Sequence, residues 1–270
     1  NTSTDVSGND TYYLHIQVQD EAGNTSSTSH YSAIVEDTTP PIVTGISDDP
    51  NVTNSKSHNW SCNDESSCDF RFTIDQSSST TPSGSYDSTT SNTHTSGNGT
   101  HYIHVQARDQ AGNESNVFHA SFEMDTNAPT LSGLSNDLTT KTEKTWNWSC
   151  SESCTFRHVI DQNSSTSPSG LYTSTSSATQ STGDGTYYIH VQAVDDAGNE
   201  SAVVHVSAEI DTTAASLTGL ADDSTRTKSK TWNWGCSESD CSYRFVIDQN
   251  SNSTPSGSFD STTTATQGVG

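Results

Sequence analysis

Two aspartates recur at fixed places along the chain, and carboxylates in such a pattern are candidate ligands for a cation. One precedes an Ala-Gly-Asn turn, and the other follows 16 or 17 residues later. The turn aspartates are Asp20, Asp109 and Asp195, and the joint aspartates are Asp37, Asp125 and Asp211. Ca²⁺ takes six to eight oxygen ligands, carboxylates among them. Aspartate also caps turns through its own backbone contacts. The residues alone therefore leave calcium binding and simple turn capping open.

The turn aspartate and the joint aspartate of one repeating segment are separated by a strand. A strand that runs the length of a domain carries the joint aspartate to the opposite pole. We therefore do not expect the two to share an ion. End-to-end stacking of domains is instead expected to bring a joint aspartate near loop acids of the next domain. The candidate loop acids are Asp48, Asp49, Asp137, Asp222 and Asp223.

The six cysteines come in close pairs. The pairs are Cys62 with Cys68, Cys150 with Cys154, and Cys236 with Cys241. A zinc site needs about four ligands at well-kept spacing, whereas each segment offers two cysteines and the spacing varies. We predict a disulfide across the mouth of a hairpin in each segment, with free thiols or a metal as the alternative. A ring this short contributes about 2 kcal/mol. Disulfides persist in oxidising surroundings, which indicates a secreted or cell-surface protein.

Histidines and tryptophans also recur. The recurring residues are His15, His104 and His190, together with Trp146, Trp148, Trp232 and Trp234. Each histidine is placed on the outward face of one predicted strand, without a second histidine at fixed spacing, so we expect polar strand residues and not transition-metal ligands. The tryptophans alternate with period two beside a cysteine, which is more typical of a core than of a sugar-stacking platform. Nearly every candidate group is repeated, whereas an active site needs unique residues, and we predict no enzyme.

The composition limits the class of partner. Lys and Arg number 10 and Asp and Glu 33, giving a formal charge of −23. Nucleic acid requires a surplus of cations, so it is not expected as a partner. The hydrophobic share is 28%, below the usual value of about 45–50%. No apolar run approaches the roughly 20 residues of a membrane span. Low hydrophobicity and high charge favour disorder, but aromatic residues at regular intervals argue against it.

The chain repeats with a period near 87 residues. Cys62, Cys150 and Cys236 are spaced by 88 and 86 residues. This period exceeds the roughly 20–50 residues of solenoid units and suits a string of small domains. We predict two complete repeats, 38–125 and 126–211. Residues 1–37 match the last part of a repeat and residues 212–270 the first part. We interpret the sequence as a window of a longer array; the alternative is that partial ends complete each other between neighbouring chains.

Within each repeat the sequence predicts strand after strand. Residues 145–150 alternate so that Trp146, Trp148 and Cys150 share one face. Residues 156–160 follow a short connection, which predicts a hairpin. Residues 187–193 place Ile189 and Val191 inward. Turn-forming clusters separate the strands, and no stretch shows helical periodicity. About seven short strands in 87 residues predict an all-β chain of tandem immunoglobulin-like β-sandwiches.

The phrase at residues 188–199, Tyr-Ile-His-Val-Gln-Ala-Val-Asp-Asp-Ala-Gly-Asn, followed by Asp-Thr-Thr at 211–213, resembles the bacterial immunoglobulin-like repeats of large surface adhesins. In such families the arrays form long extracellular stalks, and many bind calcium near domain junctions. The resemblance implies that the ligands are the turn aspartates and joint aspartates named above. The junction proline, present at Pro41 and Pro129, is replaced by Ala215, which weakens the case for a stiff third joint.

Together these features predict the stalk or fibre of a bacterial cell-surface protein, with Ca²⁺ stiffening the joints. Its partners would be other copies of the array, or a surface receptor or glycan. Two alternatives stay open. One is a binding module that grips glycan or protein, and the other is a self-assembling filament subunit whose partial ends are completed by neighbouring chains.

Overall fold

The computed structural model describes residues 10–64 and 67–268, and these residues form strands and turns without a helix. The strands of residues 1–125 are β1 (Asp10–Ile16), β2 (Ser29–Val35), β3 (Ile42–Thr44), β4 (Asp49–Thr53), β5 (Lys56–Asn59), β6 (Ser61–Asn63), β7 (Asp69–Asp75), β8 (Ser91–His94), β9 (Gly99–Arg108) and β10 (Phe118–Met124). Among the described residues, no helix is long and apolar enough to cross a membrane.

The strands repeat along the rest of the chain. They are β11 (Leu131–Ser132), β12 (Asp137–Lys141), β13 (Lys144–Asn147), β14 (Ser149–Cys150), β15 (Cys154–Asp161), β16 (Ser177–Gln180), β17 (Gly185–Asp195), β18 (Val204–Ile210), β19 (Leu217–Thr218), β20 (Ser229–Asn233), β21 (Gly235–Cys236) and β22 (Thr264–Gly268). The all-β prediction is confirmed.

The first complete repeat (residues 38–125) builds two layers. One is a four-stranded sheet of order β4-β10-β9-β7, in which β4 joins β10 in parallel and the other pairs are antiparallel. The other layer consists of the pairs β3–β6 and β5–β8. Val43 and Trp60 enter the core from this second layer. The first layer supplies the alternating residues Phe70, Ile103, Val105, Ala107, Ala120, Phe122 and Met124.

The second complete repeat (residues 126–211) uses the same pairings. β15 pairs antiparallel with β17, β12 pairs parallel with β18, and β11 pairs with β14. Ile189 and Val191 are fully buried, as the alternation predicted, because every second residue of a strand faces the core. In the partial repeats, β1 pairs with β2, β19 with β21 and β20 with β22.

Two compact units divide the chain. The first comprises residues 1–135, 146–178 and 188–206, and the second comprises residues 136–145, 179–187 and 207–270. The repeat boundaries drawn from the sequence stay a prediction. All contacts described below at the joint between the two complete repeats lie within the first unit.

The predicted hairpin of residues 145–150 and 156–160 is wrong. β14 pairs with β11, whereas β15 pairs with β17, so the two segments belong to different sheets. The short connection between them turns a corner of the sandwich, which alternation alone does not distinguish from a hairpin. The disulfide Cys150–Cys154 therefore joins two sheets at this corner, with its Cα atoms 6.4 Å apart. Cys62–Cys68 and Cys236–Cys241 are also bonded.

Candidate metal centre at the joint between repeats

The Ala-Gly-Asn turn holds its aspartate in a fixed orientation. Gly198 adopts a φ of 92°, which an L side chain rarely tolerates. The Asn199 backbone N–H donates to Asp195 Oδ1 at 2.8 Å, and Asn199 Nδ2 donates to Asp195 Oδ2 at 2.9 Å. The Asp195 side chain is 8% exposed. The turn therefore presents a nearly buried, oriented carboxylate at the end of β17.

The same asparagine fastens the turn to the preceding repeat. Asn199 Nδ2 also donates to the backbone carbonyl of Asp125 at 2.9 Å. Asn113 does the equivalent at the earlier joint, where its Nδ2 donates to the carbonyl of Asp37 at 3.1 Å. A further backbone bond runs from the Asn54 N–H to the Ala197 carbonyl at 3.2 Å. The joint aspartates Asp37 and Asp125 thus each meet the turn of the following repeat.

Three carboxylates converge at this joint. Asp125, Glu152 and Asp195 each bring one carboxylate oxygen within 4.8 Å of the others. Two oxygens bound to one Ca²⁺ at about 2.4 Å lie at most about 4.8 Å apart, so the set fits around a single ion. In the part of the chain that the structure describes, no lysine or arginine forms an ion pair with any of the three. The three negative charges therefore favour a cation.

Sequence reasoning missed Glu152. It lies in the corner loop closed by Cys150 and Cys154, and this corner faces the turn of β17 because Cys154 pairs with Asp195. The sequence pattern that could have indicated Glu152 is an acidic residue inside each cysteine loop. Asp64 and Glu238 occupy the other two loops, and Glu65 is outside the described residues.

The other predicted ligands belong to no such group of three within the described residues. The turn carboxylate of Asp109 is 5% exposed and accepts both the N–H and the Nδ2 of Asn113, each at 2.8 Å. Asp20 makes the same two contacts with Asn24. Asp211 accepts the backbone N–H of Thr213 at 3.0 Å. These side chains have the predicted turn chemistry, and calcium binding by them stays a prediction.

The candidate loop acids make other contacts. Asp48 accepts the Ser121 N–H at 2.7 Å. Three others form ion pairs within their own segments, namely Asp49 with Lys56, Asp137 with Lys144 and Asp223 with Lys230. The Lys56 ammonium lowers the pKa of Asp49 to about 2. Lysines thus neutralise Asp49, Asp137 and Asp223, whereas the joint aspartate Asp125 meets the turn aspartate Asp195 of the next repeat.

The histidines differ from the prediction in two ways. His104 and His190 face away from the core, yet both side chains are fully buried. Each recurring histidine also has a second one 15 residues later, namely His30, His119 and His205. The expectation of exposure is therefore wrong for His104 and His190 and holds for His15. The expectation that no second histidine stands at fixed spacing is wrong, because the antiparallel pairing places the second histidine directly opposite the first.

The tryptophans of the complete repeats belong to the core. Trp60, Trp146 and Trp148 are 2–4% exposed and cannot serve as a sugar-stacking platform. In the trailing partial repeat, Trp232 and Trp234 are half-buried and line an open groove of about 640 Å³.

Comparison with known proteins identifies one family. Residues 4–38 and 140–212 match the family described as "Bacterial Ig-like domain". Domains of this family are typically structural modules without enzymatic activity. None of the curated proteins matches the chain.

Many solved structures are similar to this chain, among them the following three. The fibronectin(III)-like modules of Clostridium thermocellum CbhA share 16% identity over 63% of this chain and 94% of theirs, with a TM-score of 0.28. The FN1-FN3 domains of chicken CNTN1 share 13% identity over 73% of this chain and 77% of theirs, with a TM-score of 0.34. Extracellular domains 3-5 of Drosophila OTK share 11% identity over 75% of this chain and 71% of theirs, with a TM-score of 0.35.

Proposed function

Since two stretches of this chain belong to the bacterial Ig-like domain family, we propose that it forms part of the stalk or fibre of a bacterial cell-surface protein. Its role is mechanical and adhesive: each sandwich adds a fixed length, and Ca²⁺ stiffens the joints. The observation that carries the calcium proposal is the convergence of Asp125, Glu152 and Asp195 on one point.

The position of the three acids supports stiffening. Asp125 ends the first complete repeat, whereas Glu152 and Asp195 belong to the second. An ion bound by all three ties the linker to the corner loop and to the turn of the next sandwich. Without it, the like charges repel one another, and the hydrogen bonds of Asn199 and Asn54 act against this repulsion. The three disulfides support an oxidising, extracellular location.

The test combines calorimetry with small-angle scattering on the whole chain. Ca²⁺ is expected to bind and to narrow the distribution of shapes, and a chelator is expected to widen it again. Glu152→Gln is the cleanest variant, because the side chain is exposed and its size is kept while one ligand charge is lost. It should weaken calcium binding at this joint.

Asp223→Asn is the matched control, because it also removes one acid charge but lies at the ion pair with Lys230. It should leave calcium binding unchanged. Scattering profiles that are identical with and without chelator would contradict the stiffening role. Equal effects of the two variants would contradict the proposed ligand set.

A further inference from the structure

A line of three side chains crosses the four-stranded sheet of the first complete repeat, on the face opposite the core. His104 of β9 stands in the middle. Its Nε2 lies 3.2 Å from Asp75 Oδ1 on β7, and its Nδ1 lies 2.5 Å from His119 Nδ1 on β10. The two histidines are direct partners in the antiparallel register.

The second complete repeat contains the same arrangement. His190 Nε2 lies 3.2 Å from Asp161 Oδ1, and His190 Nδ1 lies 2.5 Å from His205 Nδ1. The central histidine is fully buried in both repeats, whereas His119 and His205 are exposed. Since both repeats hold the side chains in the same geometry, a shared chemical role is the simplest reading.

The carboxylate decides which nitrogen of the buried histidine carries the proton. It accepts the Nε2–H, so the Nδ1 of His104 or His190 keeps its lone pair and points at the partner ring. A carboxylate that orients an imidazole in this way is the usual outer contact of a metal-binding histidine.

We propose that each complete repeat binds one divalent transition-metal ion between these paired Nδ1 atoms, His104 with His119 and His190 with His205. Imidazole nitrogens suit Cu²⁺ and Zn²⁺, and Cu²⁺ binds more tightly. The two Nδ1 atoms of a pair lie 2.5 Å apart. To bind one ion with metal–nitrogen bonds of about 2.0–2.1 Å, they must move apart by about 1 Å or less. Rotation of the exposed ring supplies this movement, and the proton between the rings moves to its Nε2. Water completes the coordination from the open side.

A third pair in the chain provides an internal comparison. His15 and His30 also face each other through their Nδ1 atoms. Both are exposed, and within the described residues no carboxylate contacts either ring. We expect this pair to bind the same ions more weakly, because nothing fixes the tautomer.

The experiment titrates the whole chain, free of any histidine tag, with CuCl₂ and in parallel with ZnCl₂. Calorimetry is expected to find two tight sites, and electron paramagnetic resonance should show nitrogen ligands on Cu²⁺. His119→Gln and His205→Gln alter exposed side chains, so each should remove one tight site and leave the circular dichroism spectrum unchanged.

Asp75 and Asp161 are positioning residues and give a second readout. Asp75→Asn should weaken copper binding at the first site about 10–100-fold while the copper spectrum keeps its nitrogen ligands. Unchanged affinity in this variant, or tight sites that survive when His119→Gln and His205→Gln are combined, would overturn the proposal. Loss of tight copper in Glu152→Gln would also overturn it, because the ion would then sit at the joint carboxylates. Calcium binding is measured separately, so the two proposals can fail independently.

Discussion

A buried histidine makes the first complete repeat sensitive to acid. His58 occupies the position that Trp146 holds in the second complete repeat. It is 4% exposed and packs edge-on against Phe122, with the ring centroids 4.6 Å apart. Within the described residues its Nε2 has no hydrogen-bond partner. Burial lowers the pKa of His58 from 6.5 to about 4. Lys56 and His94 also lower this pKa, whereas Asp49 raises it.

The sign and size of the effect follow from this pKa. Below pH 6.5 the unfolded chain takes up a proton on His58, whereas the folded repeat does so only near pH 4. The free energy of unfolding therefore falls as the pH drops from 6.5 to 4, and this residue causes no further loss below pH 4. At 1.36 kcal/mol per pKa unit, the loss is at most about 3 kcal/mol. That is a large share of the roughly 5–15 kcal/mol that holds a typical domain.

Hydrogen exchange followed by mass spectrometry can measure this loss repeat by repeat in the whole chain. After correction for the intrinsic exchange rate, amides of β9 and β10 should open about 100-fold more often at pH 4 than at pH 7. The titration of other groups is cancelled by comparison with His58→Met, which keeps a similar volume and does not titrate.

A second control exchanges residues between repeats. Positions 58 and 122 of the first complete repeat correspond to Trp146 and Ala208 of the second. The double substitution His58→Trp with Phe122→Ala reproduces that pair and keeps the total volume similar. It should remove the same part of the acid sensitivity as His58→Met. If the wild-type chain and His58→Met lose equal stability between pH 7 and pH 4, the reasoning is refuted.

Three further changes test the second complete repeat by chemical denaturation. Replacing Cys150 and Cys154 by serine should lower the free energy of unfolding by about 2 kcal/mol, and an equal result from adding reductant to the wild-type chain would verify the cause. Gly198→Ala should lower the free energy of unfolding by about 1 kcal/mol, because residue 198 has a φ of 92°, which disfavours an L side chain. An unchanged free energy would show that the turn relaxes. Ser201→Ala should lose about 1–3 kcal/mol, since its buried Oγ accepts a backbone N–H at 2.9 Å. The exposed Ser164→Ala is the control, with a change within about 0.5 kcal/mol.

Local patterns in the sequence predict which side chains face the core, but they do not predict which strands are neighbours. Alternation around Ile189 and Val191 identifies the buried face because it depends only on the geometry of one strand. The corner at Cys150–Cys154 depends on whether two strands join one sheet or two, and both outcomes fit so short a loop. Glu152 was missed for the same reason, since its approach to Asp195 is a consequence of that corner.

The paired histidines show that the sequence of a repeating chain can also indicate which strands are neighbours. One antiparallel register fixes the separation between partners on two neighbouring strands, so a residue and its partner keep the same spacing in every repeat. His15, His104 and His190 are each followed by a histidine after 15 residues. The spacing between a joint aspartate and the next turn asparagine is nearly as regular, at 76 and 74 residues.

Constant spacing between polar residues on different strands is therefore evidence of contact, even where no single repeat reveals it. The histidine spacing places two imidazoles opposite each other across β9 and β10, and the longer spacing brings a joint to the turn that follows it. Core positions are also repeated, but their side chains can be exchanged when the total volume is kept, as His58 with Phe122 and Trp146 with Ala208 illustrate. A polar pair has no such freedom, because its contact needs particular atoms at hydrogen-bonding or ligand distance. In a chain of repeats, the unchanged polar spacings thus mark candidate sites, whereas the exchanged residues mark the core.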